Sequence, residues 1–275
     1  MNGATAGGGP ASSGRFSIAT WNVNSLRVRA EQLTEWLRTH SPDVVALQET
    51  KIQDPDFPHA HFAAAGYRCA FSGQKTYNGV ALLARHPLTD VVRDIPGFED
   101  APRRVLAATV APPEGEGFRV INLYVPNGQA PGSEKFAYKL RWLDALTQWL
   151  AAEAAAHPNL VVVGDFNVAP EDRDVHDPAA WVGCVHVSPE ERAALKAITD
   201  LELVDAFRHF EQPEKSFSWW DYRAGGFRRN NGLRIDLILV HRKLLPRLTS
   251  CHIDVEPRRA ERASDHTPVV ASFQV

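Results

Sequence analysis

Oxygen-bearing side chains stand at the ends of apolar runs along this 275-residue sequence. The clearest case is Leu160-Val-Val-Val-Gly-Asp-Phe-Asn-Val-Ala-Pro170, where β-formers lead through a glycine to Asp165 and Asn167. Side chains two apart on an extended strand share a face. The run from Leu160 to Val163 can therefore be buried while its end delivers a carboxylate and an amide to one spot. Asp and Asn are also ordinary turn residues, and on this stretch alone a turn-capping pair accounts for them equally well. Other runs end alike and shift the balance. Asn22 and Asn24 end the first, Glu49 the second, Tyr124 a later one, Asp236 interrupts Leu233-Arg-Ile-Asp-Leu-Ile-Leu, and Asp265-His266 precedes the last.

Carboxylates and amides with no cysteine and a single plausible histidine suit a hard cation such as Mg²⁺ or Mn²⁺ rather than zinc. Mg²⁺ takes one or two carboxylates and keeps positions for water and substrate phosphate, which points to phosphoryl chemistry. An unpaired Asp236 in an apolar strand is costly. His266 is its natural partner, because a carboxylate fixes the tautomer of a catalytic imidazole.

These residues need strands to carry them. The runs Arg15 to Asn24, Asp43 to Thr50, Tyr67 to Phe71, Gly79 to Ala84, Arg104 to Val110 and Phe118 to Val125 read as strands. So do Leu160 onward, Leu203 to Phe207, Ser216 to Trp220, Leu233 to Val240, Cys251 to Val255 and Pro268 to Phe273. Leu26, Ala30, Leu33 and Leu37 recur at helical spacing up to Ser41-Pro42. The longest helix is predicted over Glu134 to His157, with Phe136, Leu140, Leu143 and Leu150 on one stripe. Ser188-Pro-Glu-Glu191 is a capping box that starts a helix running to about Asp200. Asp54 to Gly66 reads as loop or weak helix. Neighbouring strands are joined by loops too short for crossover helices. Two mixed sheets packed face to face with helices outside, an α/β sandwich, fit better than one doubly wound sheet.

With 44% hydrophobic and 23% charged residues the chain falls in the globular class. No repeat or linker divides it, so one catalytic domain is expected over 15–275, after a Gly/Ala/Ser/Pro-rich tail from Met1 to Gly14 that reads as disordered. No run of about 18 apolar residues is present to span a membrane. The three cysteines lie far apart without a C-x-x-C pair, which suggests neither a disulfide framework nor zinc and fits a reducing cytoplasm. A net charge of −3 excludes a generally basic nucleic-acid coat, but not local phosphate binding.

Thr20-Trp-Asn-Val-Asn24, Leu47-Gln-Glu-Thr-Lys51, Asn122-Leu-Tyr-Val-Pro-Asn127, Gly164-Asp-Phe-Asn-Val168, Arg234-Ile-Asp-Leu-Ile238 and Ser264-Asp-His-Thr-Pro268 follow one another in this order. Together they resemble the motifs of the exonuclease III family of apurinic/apyrimidinic endonucleases, from Phe16 to Val275. The resemblance implies a four-layer αββα, deoxyribonuclease I-like sandwich with its site where the two sheets open. It implies a Mg²⁺- or Mn²⁺-dependent DNA repair nuclease that incises 5′ to abasic sites and trims 3′ ends. The implied partner is duplex DNA bearing abasic sites or blocked 3′ ends, met by a cytoplasmic monomer that binds no membrane. Carried over by position, Glu49 resembles the main metal ligand, with Asn22, Asp265, Asp165 and Asn167 around the metal. Asp165 resembles the residue that orients or deprotonates the attacking water, Asn167 its phosphate-contacting neighbour, Tyr124 the active-site tyrosine, and Asp236 with His266 the Asp-His pair. Whether Asp165 or His266 is the base stays open. Asn24 stands where some eukaryotic relatives carry Asp, and Pro-Asn-Gly-Gln129 differs from their arginine-bearing loop.

The same superfamily includes phosphomonoesterases acting on small or lipid phosphates, so the substrate must be read elsewhere; a non-catalytic DNA-binding relative would be free to lose ligands that all stand here. The segment Ser216 to Arg234 sets Trp219 and Trp220 beside Arg223, Arg228, Arg229 and Arg234, with no acidic residue after Asp221. Arginines there can hold backbone phosphates and an aromatic can wall a pocket for a missing base. A core tryptophan pair and a solvated loop is the plainer account, and it suits one of the two tryptophans. The resemblance favours Trp219 for the wall and places Asn127 near the scissile phosphate. His59 and His61 read as exposed loop histidines, Trp142 and Trp149 as helix packing, and Cys184 as unactivated.

Overall fold

The computed structural model describes residues 14–112 and 115–275. Residues 1–13 of the expected tail lie outside the described residues. In chain order the elements are β1 (Arg15–Asn22), α1 (Leu26–His40), β2 (Val44–Gln48), α2 (His59–Ala64), β3 (Arg68–Ser72), β4 (Val80–Ala84), β5 (Leu88–Arg93), β6 (Val105–Val110) and β7 (Phe118–Tyr124). Then come α3 (Glu134–Ala156), β8 (Leu160–Asp165), α4 (Pro189–Thr199), β9 (Leu203–Asp205), β10 (Trp219–Trp220), β11 (Gly232–Leu233), β12 (Asp236–His241), β13 (Leu248–Ile253) and β14 (Val269–Gln274).

Two six-stranded sheets form, ordered β13-β14-β1-β2-β4-β3 and β5-β6-β7-β8-β12-β9. Each is antiparallel apart from one central parallel pair, β1 with β2 and β7 with β8. Alternation along the strands decides the layering. Phe16 and Ile18 of β1, Val44 and Ala46 of β2, Val120 of β7, Val161 and Val163 of β8, and Ile238 and Val240 of β12 meet in one core between the sheets. The opposite parity faces outward: Ala19 and Trp21 pack with Leu33, Trp36 and Leu37 of α1. On the other side Leu160, Val162 and Leu239 pack with Trp142, Leu146 and Leu150 of α3 and Ile198 of α4. The result is the four-layer αββα sandwich expected from the sequence.

The helix ends follow local rules. Ser133 Oγ accepts from Phe136 N at 3.1 Å and caps α3, an interaction worth about 1 kcal/mol. Ser188 and Glu191 form the capping box of α4. Ser41 takes the left-handed conformation after α1 and Pro42 follows.

Several expectations need correction. β5 is an edge strand with mostly exposed or half-exposed side chains, so it lacked the apolar run that marks a buried strand. The run Leu233 to Val240 is broken at Arg234 and Ile235, because Arg234 N donates to Asp174 O at 2.9 Å and pulls the chain out of the ladder. Only Trp219 and Trp220 of Ser216 to Trp220 are extended in pairing. On α3 the buried stripe runs Phe136, Lys139, Leu143, Leu146 and Leu150, with Lys139 where Leu140 was expected.

Candidate active site

The parity that buries Ile18, Ala46, Val120, Val163 and Ile238 between the sheets also fixes the next residues of the same face: Asn22, Gln48, Tyr124, Asp165 and Asp236. Register completes the convergence, since Asp165 pairs with Tyr124 on one side and Asp236 on the other, and Asn22 with Gln48 in the facing sheet. All lie where the parallel pairs end and the sheets open.

At that mouth the chain leaves the extended conformation. Asn24, Ser25, Glu49, Lys51 and Asn167 all have positive φ, a strained setting for side chains other than glycine that clusters at functional sites. Asn24 and Asn167 thus do not share a strand face with Asn22 and Asp165, as two-residue spacing suggested. Asn167 instead folds back, its N–H donating to Asp165 Oδ1 at 2.9 Å.

Glu49, Asp165 and His266 bring one ligand-capable atom each within 4.8 Å of one another. His266 Nδ1 lies 2.9 Å from Asp236 Oδ2 and its Nε2 lies 3.6 Å from Asp165 Oδ2. Ser218 Oγ holds Asp236 at 2.7 Å. Burial opposes a charged imidazole, but Asp236 and Asp165 outweigh it and raise His266 to about 10. A carboxylate thus stands at each ring nitrogen, so both N–H groups of a charged His266 face an acceptor. Burial drives Asp165 up to about 7, with His266 and the Asn22 amide opposing. Burial, and then the charges of Glu49 and Asp165, hold the Tyr124 phenol well above its ordinary range. The Arg104 guanidinium lies 4.8 Å from its ring centroid.

Two of the expected metal ligands, Asn22 and Asp265, are hydrogen-bonded within the protein. Asn22 turns Nδ2 to Glu49 Oε1 and Asp165 Oδ2, both at 2.9 Å, while its Oδ1 accepts from Asn24 N at 3.0 Å. In this orientation the Asn22 amide gives each carboxylate a donor and ties Glu49 to Asp165. Asp265 receives Trp219 Nε1 and Asn24 Nδ2, each at 3.0 Å, one on each oxygen. It anchors Trp219 and does not join the cluster. Asn167 gives Nδ2 to Val125 O at 2.9 Å. Glu49 and Asp165 also receive donors on their oxygens, but each carboxylate keeps lone pairs to spare, and the two form a hard donor set that fits a divalent cation such as Mg²⁺. Lys51 Nζ pairs with Glu49 Oε2 at 3.0 Å.

The segment between β9 and β12 divides as well. Trp220 is buried, with Nε1 on Asn230 Oδ1 at 3.0 Å, whereas Trp219 is half-buried and bridges His266. Arg223, Arg228 and Arg229 are exposed, Arg223 pairing only with Asp221. Arg234 offers DNA nothing: it is 1% exposed and clamped between Asp174 at 2.7 Å and Asp205 at 2.8 Å. A guanidinium in a broken strand finds buried carboxylates nearer than solvent. Asn127 is exposed on the loop after β7.

Sequence reasoning missed Lys51, Arg104, Ser218, Lys139, His186 and Glu191. The last three lie behind Asn127 and Asn167: Lys139 Nζ donates to Asn127 O at 3.1 Å and Asn167 O at 2.7 Å and pairs with Glu191. A lysine on the apolar stripe of α3 and the glutamate of the capping box were signals for two of them.

Architecture and cleft together define a phosphoesterase of the four-layer sandwich class, with a cation site beside an Asp-His pair. Residues 19–266 match the Endonuclease/Exonuclease/phosphatase family, and the chain belongs to it. It is 36% identical to exodeoxyribonuclease III of Haemophilus influenzae over 268 residues, covering 94% of this chain and all of that protein. Among solved structures, the 3′ phosphatase NExo from Neisseria, bound to a product DNA hairpin, superposes with a TM-score of 0.91 at 43% identity, over 94% of this chain and 100% of that one. An AP endonuclease from Archaeoglobus fulgidus gives 0.89 at 39% identity with the same coverage. Among the described residues no helix is long and apolar enough to cross a membrane.

Proposed function

We propose that this protein is a divalent-metal-dependent DNA repair nuclease that hydrolyses the phosphodiester 5′ to abasic sites and trims blocked 3′ ends of duplex DNA. It works as a cytoplasmic monomer with one catalytic domain over 15–275. The observation that carries the reading is the meeting of Glu49, Asp165 and His266 within 4.8 Å, with Asp236 behind His266. Relatives that match along most of the chain are described as exodeoxyribonucleases, a 3′ phosphatase and an AP endonuclease.

A phosphodiester resists attack because it is negatively charged. Glu49 and Asp165 would hold Mg²⁺ or Mn²⁺, which would supply charge stabilisation at the phosphoryl oxygens. The chain's own groups do the rest. Asp165, its carboxylate fixed by the Asn22 amide and the Asn167 N–H, accepts a proton from the attacking water. The imidazolium of His266, kept charged by Asp236, offsets charge on the phosphate. Asn127 and Asn167 contact phosphate oxygens, and Tyr124, kept protonated, donates toward the departing 3′-oxygen. Trp219 walls a pocket that takes a bare deoxyribose, and Arg223, Arg228 and Arg229 hold flanking phosphates.

One assay tests this: a duplex with a single abasic analogue and a duplex with a 3′-phosphate end, each with Mg²⁺ or EDTA, beside an inositol phosphate control. Incision and 3′-phosphate release are expected only with metal. Turnover of the inositol phosphate with both duplexes left intact overturns the reading in favour of a small-molecule phosphatase.

A further inference from the structure

The cluster of Glu49, Asp165 and His266 uses none of the charge buried on the far side of the second sheet. Lys139 of α3 and Glu191 of α4 are both fully buried and ion-paired. Well-packed apolar residues of the same volume stabilise as well as such a pair or better, so the pair calls for another reason. Its remaining hydrogen bonds supply one. Lys139 spends its three N–H groups on Glu191 and on the carbonyls of Asn127 and Asn167, at 3.1 and 2.7 Å. It thereby ties together the loops that follow β7 and β8. Glu191 also accepts from His186 N at 3.0 Å and from Ser188 N and Oγ at 3.2 and 2.6 Å.

His186 completes the set. Its Nδ1 lies 2.6 Å from Asn167 O, and a carbonyl only accepts, so the proton sits on Nδ1. Burial, reinforced by the Lys139 charge, lowers His186 to about 4 and keeps the ring neutral. The bare Nε2 then faces Asn127 Nδ2 at 3.4 Å, and Asn127 Oδ1 accepts from Gln129 N at 3.0 Å. Both ends of the Asn127 amide are fixed, with one Nδ2–H left over. Gln129, Asn167 and His186 all hold positive φ, which persists only where the surroundings over-determine it. Gly128 closes the stack: at φ +91°, its Cβ would fall 2.9 Å from Lys139 Cδ.

We propose that Lys139, Glu191 and His186 are positioning residues: Lys139 and Glu191 hold the two loops together, and His186 acts through the Asn127 amide, keeping it in the orientation required to meet the scissile phosphate. This rests on the reading of Asn127 as a phosphate contact. Lys139→Met would strand Glu191 and test folding, so His186 carries the experiment. Single-turnover incision of the abasic duplex with Mg²⁺ is compared for His186→Leu and His186→Gln, each alone and with Asn127→Ala. His186→Leu is expected to lose about tenfold in rate, with duplex affinity in EDTA changed by less than about twofold. Gln, whose amide oxygen accepts from Asn127, recovers most of that loss. In the Asn127→Ala background His186→Leu costs less than about twofold, since neighbours acting through one group are not additive. Full rate in His186→Leu, or an undiminished loss in the Asn127→Ala background, overturns the proposal. A readout independent of turnover is the ¹⁵N spectrum: the Asn127 side-chain amide should move in His186→Leu and return in His186→Gln, and an unmoved signal overturns the relay. If Asn127→Ala alone keeps full rate, the phosphate reading beneath the proposal fails, while the spectrum still decides the relay.

Discussion

The floor of the cleft and the arginine-rich segment proposed as its wall are built on different principles. Asn22, Tyr124, Asp165 and Asp236 sit on strands whose other same-face residues are buried between the sheets, so the direction of each side chain is dictated. Trp219, Arg223, Arg228 and Arg229 sit on a segment with one two-residue ladder, β10 with β11, and a short turn in which Ala224 takes φ 54°. Packing fixes the first set to within a hydrogen bond. In the second, Trp219 is tied to Asp265 and Arg223 to its neighbour Asp221, while Arg228 and Arg229 stand exposed. The floor is therefore suited to chemistry that tolerates little displacement, and the wall to contacts that adapt to a duplex.

Removing a group from the floor should then cost most. Asp165→Asn keeps the shape but not the basicity, and turnover of the abasic duplex should fall by about 10³-fold or more. Duplex binding in EDTA should be unchanged. Full rate in the Asp165→Asn enzyme would move the proton acceptor elsewhere and undo the division between floor and wall.

Arg234 belongs by sequence to the wall and by structure to the interior. Arg234→Met should lower stability by about 3 kcal/mol, as for breaking a buried pair, and leave duplex affinity alone. Burial alone would raise Asp174, but Arg234 and then Arg208 hold it below the ordinary carboxylate range. A carboxyl depressed by folding adds stability above its unfolded value of about 3.9, lost as pH falls through the folded value. Melting temperature should therefore fall as pH drops below about 4 in the parent, and much less steeply in Arg234→Met. A loss of DNA affinity in place of stability would return Arg234 to the wall.

These outcomes bear on what the chain reveals before it folds. The sandwich and the floor were legible because strand periodicity and side-chain direction are one property: Val161, Val163 and Asp165 declare a face together. Three things were not. Asn22 and Asp265 both lie at the mouth of the sheets, but whether such a side chain ligates, clamps or caps depends on neighbours from other strands, here Glu49, Asp165 and Trp219. Arg234 was misjudged because its carboxylate partners, Asp174 and Asp205, are distant in sequence. Lys139 was passed over because a charged residue on an apolar stripe is ordinarily displaced to the rim. Only the joining of α3, α4 and two strand ends gives it three acceptors.

Trp219 stands between the regions, tied to the floor through Asp265 yet half-buried on the wall. Trp219→Ala should raise KM for the abasic duplex by about tenfold, the scale of one aromatic contact, with kcat nearly unchanged. A fall in kcat at constant KM would assign Trp219 to the floor, acting through Asp265.

The smallest effect is expected at Arg223, whose side chain is 88% exposed and paired only with the neighbouring Asp221. Such a surface pair contributes little to stability, so breaking it to reach a phosphate costs the protein almost nothing. Arg223→Ala should weaken duplex binding about threefold regardless of sequence. It should also reduce the slope of log affinity against log salt by about 1, as expected for one lost phosphate contact. Rate at saturating duplex should stay at the parent value, because the group lies outside the floor. If the salt slope is unaltered in Arg223→Ala and also in Arg228→Ala, these arginines form a solvated face. The adaptable half of the cleft then reduces to Trp219 alone.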